Sequence, residues 1–239
     1  DRPDPITGAI VEGPVLDPAI NAFTAYLRVP LRHGMTPGEL ALYHARAKGL
    51  KLNPRIIRMS GWKRDMWYEQ TGLAWVAPSP NLRTVDAAVL YPGMGCFEAS
   101  NLSVGRGTAM PFEWLGAPWL DSAALLRELQ SGAHPGVEFM AADLTPDGDV
   151  YAGQQCRGVK LVVKDRNIFR PLEIFLRLFY ALRKTQPSAF VPECRGLERM
   201  TGVRGFCALQ ETSSADTMIE YFRNGAEEFR RARSPFLLY

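Results

Sequence analysis

Residues 36–60, TPGELALYHARAKGLKLNPRIIRMS, decide the fold class. Thr36 is placed to cap a helix, Pro37 suits the first helical position, and Glu39 completes a capping box. Leu40, Leu42, Tyr43 and Ala47 supply the apolar positions. Gly49 ends the helix, because glycine accepts the left-handed backbone of a helix stop. Residues 55–60 then read as a strand carried by Ile56, Ile57 and Met59. A helix followed by a strand predicts an α/β arrangement.

Working outward, residues 1–36 are loop-rich and punctuated by Pro3, Pro5, Gly8, Gly13, Pro14, Pro18 and Pro30. Residues 87–90 read as a second short strand that closes at Pro92 and Gly93. A helix over 119–132 starts at Asp121 or Ser122 and stops at Gly132. Residues 137–141 and 159–163 read as strands. Lys160 and Lys164 alternate with Val159, Leu161 and Val163, which predicts one buried face or an edge position. Two more helices follow, over 170–186 with Pro171 in the first turn and over 214–233 with Ser214 as cap. Their stripes, Ile174, Leu178, Ala181 and Leu182, then Met218, Ile219, Phe222, Ala226 and Phe229, read as core. A boundary near Pro92 and Gly93 divides the chain into 1–92 and 93–239.

The chain has 239 residues and a net charge of +3, too small to argue for nucleic acid. Arg230, Arg231 and Arg233 read as the solvated last turn of a helix, where cations suit the dipole. The four cysteines, Cys96, Cys156, Cys194 and Cys207, form no metal-binding spacing, and they leave free thiols and disulfides equally open. No apolar run approaches the roughly 20 residues of a membrane span. The chain opens Asp1-Arg2-Pro3-Asp4-Pro5 without an initiator methionine or leader, as a trimmed chain would.

All five tryptophans lie between Trp62 and Trp119, among Lys63, Arg64, Tyr68, Asn81, Glu98, Asn101 and Arg106. Aromatic faces with hydrogen-bonding groups between them suit sugars, although each tryptophan alone also fits a core position. Glu12 and Glu98 sit in loops. Glycoside hydrolysis usually takes a proton donor and a second carboxylate. Glu98, flanked by Phe97 and Cys96, could be desolvated enough to hold its proton as a general acid. Arg106 between Gly105 and Gly107 could clamp a carboxylate, and His33 beside Arg32 could donate to a substrate oxygen. Each has a purely structural reading as well: a helix-capping glutamate, a tight turn, a hydrogen-bonding histidine.

Taken in order, the motifs resemble the DUF1343 family of NamZ-like exo-β-N-acetylmuramidases. They begin with Asp1-Arg2-Pro3-Asp4-Pro5 and Val11-Glu12-Gly13, then Arg32-His33-Gly34-Met35-Thr36 and Gly61-Trp62-Lys63-Arg64. Pro78-Ser79-Pro80-Asn81, Phe97-Glu98 with Asn101, and Gly105-Arg106-Gly107-Thr108 follow. Gly116-Ala117-Pro118-Trp119 and Leu237-Leu238-Tyr239 close the series.

The resemblance implies a partial Rossmann-like domain over 1–92 and a smaller α+β domain over 93–239. It also implies a cleft between them and hydrolysis of a terminal β-linked N-acetylmuramic acid (MurNAc) unit. The expected partner is a peptidoglycan-derived muropeptide or disaccharide, with no metal or organic cofactor, in a secreted or periplasmic bacterial setting. Glu98 and Glu12 become the expected catalytic pair. Arg106, Asn101, His33, Arg32, Trp62 and Asn81 become the expected substrate-binding residues.

Two departures stand out. The family pattern Phe-Glu-Gly-Thr-Asn reads Phe97-Glu98-Ala99-Ser100-Asn101 here. The family also carries a segment ahead of Asp1, with the first Rossmann-like strands and a Pro-Glu-His-Gly motif that the resemblance implies supplies a catalytic Glu; this amino-terminal segment of the same protein is expected as another chain, as a disordered part, or by domain exchange. A non-catalytic muropeptide-binding module and an interaction protein on the same scaffold remain as alternatives.

Overall fold

The computed structural model describes residues 1–52 and 54–239. Its ordered centre lies in the second half of the chain. Strands β1 (Trp114–Ala117), β2 (Val137–Ala141) and β3 (Arg157–Val163) form an antiparallel sheet in the order β1-β3-β2. Leu115 pairs with Val159 on one side of β3, and Phe139 pairs with Leu161 on the other. The indole of Trp114 is fully buried, and its Nε1 donates to Ala142 O at 2.7 Å. Side chains at Gly116 and Gly158 would come within about 2.0 and 2.2 Å of that ring. The two glycines therefore make the floor on which the indole lies.

Helix α3 (Ser122–Gln130) packs on β2 and β3, and α4 (Pro171–Thr185) packs against α3. Asp121 caps α3 by accepting from Ala124 N, as its sequence position promised. Around α4 gathers an aromatic core. Phe175 lies 5.0 Å from Phe97, 5.8 Å from Phe179 and 6.0 Å from Phe206, measured between ring centres. Helix α7 (Ala215–Arg233), capped by Ser214, adds Met218, Ile219 and Phe222 to the same core.

Helix α1 (Pro37–Ala47) forms with the expected capping box between Thr36 and Glu39. Residues 87–90, read above as a strand, belong instead to helix α2 (Val85–Met94). The reason is burial on every side. Val85, Ala87, Val89, Leu90 and Met94 are all enclosed, so the apolar run carries no helical period. Gly93 permits the crossing with α4, since a side chain there would strike Pro171 O at 2.0 Å. The strand read over 55–60 is also corrected: these residues pair with no strand. Met59 N donates instead to the Tyr239 hydroxyl, and the Arg58 guanidinium donates to Leu238 O.

Helices α5 (Cys194–Thr201) and α6 (Phe206–Thr212) complete the fold and are joined by a Cys194–Cys207 disulfide, which resolves the open cysteine question. Cys96 and Cys156 are free and buried. Among the described residues of 1–84 the backbone pairings are short bridges, Glu12 with Arg32 and Ala22 with Ala25. The architecture is thus mixed α and β, with the sheet confined to the second half.

Candidate functional site

Helix α2 runs into a 3-10 turn, Gly95–Ala99. Cys96 and Phe97 turn into the core at 2% and 0% exposure, which directs Glu98 outward to solvent. Glu98 is therefore not enclosed between its neighbours as their apolar character suggested. It is instead gripped by Arg106, whose Nη1 donates to Oε1 at 2.7 Å. The loop carrying Arg106 depends on both flanking glycines. Gly105 and Gly107 have φ of +82° and +74°, and a side chain at either would lie 2.3 Å from a carbonyl oxygen. The Arg106 guanidinium is also held by Asp149, Nε to Oδ2 at 2.8 Å. Arg106 thus bridges two carboxylates.

Glu98 and Arg106 line a cleft of about 790 Å³. Its other walls come from Phe23 and Leu31 in the amino-terminal loops, Tyr91 on α2, and Met200 on α5. Phe23, at the tip of the Ala22–Ala25 turn, is fully exposed. Burial pushes the Tyr91 hydroxyl above its ordinary pKa, with the Glu98 charge acting in the same direction. A smaller neighbouring cavity of about 310 Å³ shares Phe23, Leu31 and Met200 and adds His33. His33 Nδ1 accepts from Met35 N at 3.0 Å. Burial, then the Arg233 charge, lower its pKa to about 4, so the ring is a neutral acceptor.

Glu12 stands elsewhere. Oε2 accepts from Arg32 Nη1 at 2.6 Å, and Oε1 accepts from Leu172 N in the first turn of α4 at 3.3 Å. The pair is almost wholly buried, with Arg32 at 1% and Glu12 at 7% exposure. Burial pushes the Glu12 carboxyl up, and the Arg32 charge opposes it. Glu12 lines a third cavity of about 710 Å³ with Arg170, Glu173 and residues of α7. The structure therefore brings Glu98 and Arg106 together, sets His33 in the neighbouring cavity, and puts Glu12 at a different cavity, with its partner Arg32 buried behind it and lining none.

The remaining expected binding residues line none of these cavities. Asn101 is occupied locally, donating to Ala189 O and accepting from Val191 N, both at 2.8 Å. Trp62 is buried edge-on against Tyr239 with the Arg64 guanidinium 5.7 Å over its ring. Asn81 sits in a turn, its N–H directed at Ser79 Oγ.

Several residues escaped sequence reasoning. Arg233 is not solvated like Arg230 and Arg231. It is 3% exposed, and its Nη1 donates to Gly8 O, His33 O and Gly34 O. Asp4 is buried near Arg32, Arg64 and Arg233, and burial raises its pKa to about 6. Its place in the Asp-Arg-Pro-Asp-Pro opening was the available signal. Asp149 carried none, because its partner lies 43 positions away, from 106 to 149. Among the described residues no group of three His, Cys, Asp or Glu side chains is arranged to hold a metal, and no helix is long and apolar enough to cross a membrane.

The Glu98 cleft thus joins a carboxylate open to solvent with an aromatic lip, while Glu12 lies apart at another cavity. Comparison with known proteins supplies the family. Residues 1–86 match the family model for the N-terminal part of exo-β-N-acetylmuramidase NamZ, and residues 89–239 match the model for its C-terminal part. The chain belongs to the NamZ (DUF1343) family. It is 35% identical over 242 residues to the peptidoglycan β-N-acetylmuramidase NamZ of Bacillus subtilis (strain 168), covering 100% of this chain and 58% of that protein. Crystal structures of two DUF1343 family proteins from Bacteroides fragilis NCTC 9343 share its fold. Their TM-scores are 0.90 and 0.77, at 27% and 26% identity, each covering 100% of this chain and 65% of theirs. The chain thus spans less than two thirds of the length of these relatives.

Proposed function

We propose that this protein is a glycoside hydrolase that releases terminal MurNAc from the non-reducing ends of peptidoglycan fragments during cell-wall turnover. The observation that carries the reading is the 35% identity to a peptidoglycan β-N-acetylmuramidase along the whole chain. Glu98 is the acid/base group of the proposal, because it reaches a cleft large enough for a sugar. Glu12 is the second carboxylate, held in one orientation by Arg32 and Leu172 N. Residues 1–92 contribute to a Rossmann-like domain together with further sequence of the kind its longer relatives carry. The Cys194–Cys207 disulfide supports a secreted or periplasmic setting, since structural disulfides persist in oxidising compartments.

A second reading, a muropeptide-binding module without catalysis, is favoured by one observation. Glu12 and Glu98 line separate cavities. Release of p-nitrophenol from p-nitrophenyl β-MurNAc separates the two. The assay compares this chain with a version extended at its amino terminus. Hydrolysis by the extended protein is expected. Binding of MurNAc disaccharides without hydrolysis by either would favour the binding module.

A further inference from the structure

We propose that Arg199 recognises the lactyl carboxylate of the sugar in the Glu98 cleft, and so selects MurNAc over N-acetylglucosamine. The assignment rests on the glycosidase reading above and names the residue that sets its substrate preference. The two sugars differ only by the lactyl ether at O3, and its carboxylate is the single charge on the monosaccharide. A site that selects for it needs a cation with free donors.

Two arginines line the cleft, Arg106 and Arg199. Arg106 is already bound to two carboxylates, at 2.7 and 2.8 Å. Its Nη1 and Nε are committed to those two carboxylates, whose two negative charges already outweigh its own and weaken its pull on a third. Arg199 has no carboxylate within 4.0 Å among the described residues, and its side chain is exposed. It also borders both the Glu98 cleft and the His33 cavity, so it lies where the two join.

The helix under Arg199 is rigidly placed. The Cys194–Cys207 disulfide ties the start of α5 to α6. Glu193 caps α5, with Oε1 accepting from Arg195 N at 3.0 Å and Oε2 from Gly196 N at 2.5 Å. Glu193 also lines the cleft, but both its oxygens are engaged in that cap and leave Arg199 free. Gly196 lets α5 lie directly on the Glu98 turn, because a side chain there would meet the Ala99 Cβ at 2.8 Å. Arg199 is therefore a free cation on a fixed support beside the proposed acid/base group.

The experiment compares kcat/KM for p-nitrophenyl β-MurNAc and for its uncharged lactyl carboxamide, using the amino-terminally extended protein. Arg199→Met should lower the value for the acid about 10- to 100-fold, as loss of a charge-assisted hydrogen bond does, and lower that for the carboxamide far less, so that the preference for the acid falls. Arg199→Lys should recover part of the preference. The preference persisting in Arg199→Met, or collapsing instead in Arg106→Met or in Arg170→Met from the Glu12 cavity, would overturn the assignment. Wild-type protein that hydrolyses neither substrate would sink the glycosidase reading itself, and this assignment with it. An unchanged melting temperature in each variant excludes misfolding as the cause.

Discussion

The two halves of this molecule are held together by opposite kinds of chemistry. Residues 85–222 share one continuous apolar core, centred on Phe97, Phe175, Phe179, Phe190 and Phe206. Residues 1–84 bury less: a small cluster of Val11 and Met35 lies on Ala226 and Phe229, and Ile6, Trp67, Tyr68, Trp75 and Leu82 rest half-buried against the main core. What fixes them is a buried polar knot. Arg32 joins Glu12 and Ile6 O, Arg64 joins Glu39 and Gly34 O, and Arg233 joins three carbonyls. Trp67 extends the knot across the molecule, lying 5.8 Å from both Arg32 and Arg166 while its Nε1 donates to Asn167. Apolar packing tolerates a range of shapes, whereas a buried charge tolerates only its partner. The loops that carry Glu12, Arg32 and His33 are therefore positioned by charge pairing, and the Glu98 turn by packing.

The contrast can be broken from either side. Phe175→Ala should cost about 3–5 kcal/mol of stability and unfold the chain as a whole in a denaturant titration. Arg32→Met should cost about 3 kcal/mol by leaving Glu12 buried without a partner. Its signature is local: amide exchange should rise in 1–84 while 85–222 stays protected. Adding Glu12→Gln to Arg32→Met should recover part of that loss, since no unpaired charge then remains. Cys194→Ser with Cys207→Ser should cost roughly 3 kcal/mol, the value for a short closed loop, and loosen α5 without exposing the amino-terminal loops.

The smallest effect is a pH dependence. His33 has a folded pKa near 4 against an ordinary 6.5, so its contribution to stability is lost as pH falls from 6.5 to 4. Asp4 has a folded pKa near 6 against 3.8, so its contribution is lost as pH rises from 3.8 to 6. Within that shared window the two oppose each other. Asp4→Asn should expose the His33 term as a steeper acid loss of stability, on the order of 2 kcal/mol between pH 6.5 and 4. Thermal melts across that range would detect it, and an unchanged slope would show that Asp4 does not titrate there.

The helices with polar outer faces were legible in the sequence. Thr36, Asp121 and Ser214 cap where their positions said they would. Helix α2 was misread because full burial erases periodicity, although Thr84, which accepts from Ala87 N, was a cap in plain view. Residues 55–60 had strand composition but no neighbour with which to pair. The short helices α5 and α6 carry too little pattern to read from sequence, and with them goes the disulfide that joins Cys194 to Cys207. Of the site, Glu98 and Arg106 each stand out in the sequence through their own motif. The bond between them, the Asp149 clamp and the separation of Glu12 from Glu98 are tertiary facts that no local pattern encodes.

The most direct test of the proposed chemistry is the rate of p-nitrophenol release from p-nitrophenyl β-MurNAc by Glu98→Gln in the amino-terminally extended protein. A loss of about 10²- to 10⁴-fold in kcat with the fold intact is expected, the range for removal of a general acid/base group. A variant that keeps a rate close to wild type would contradict the assignment of the Glu98 cleft as the catalytic centre.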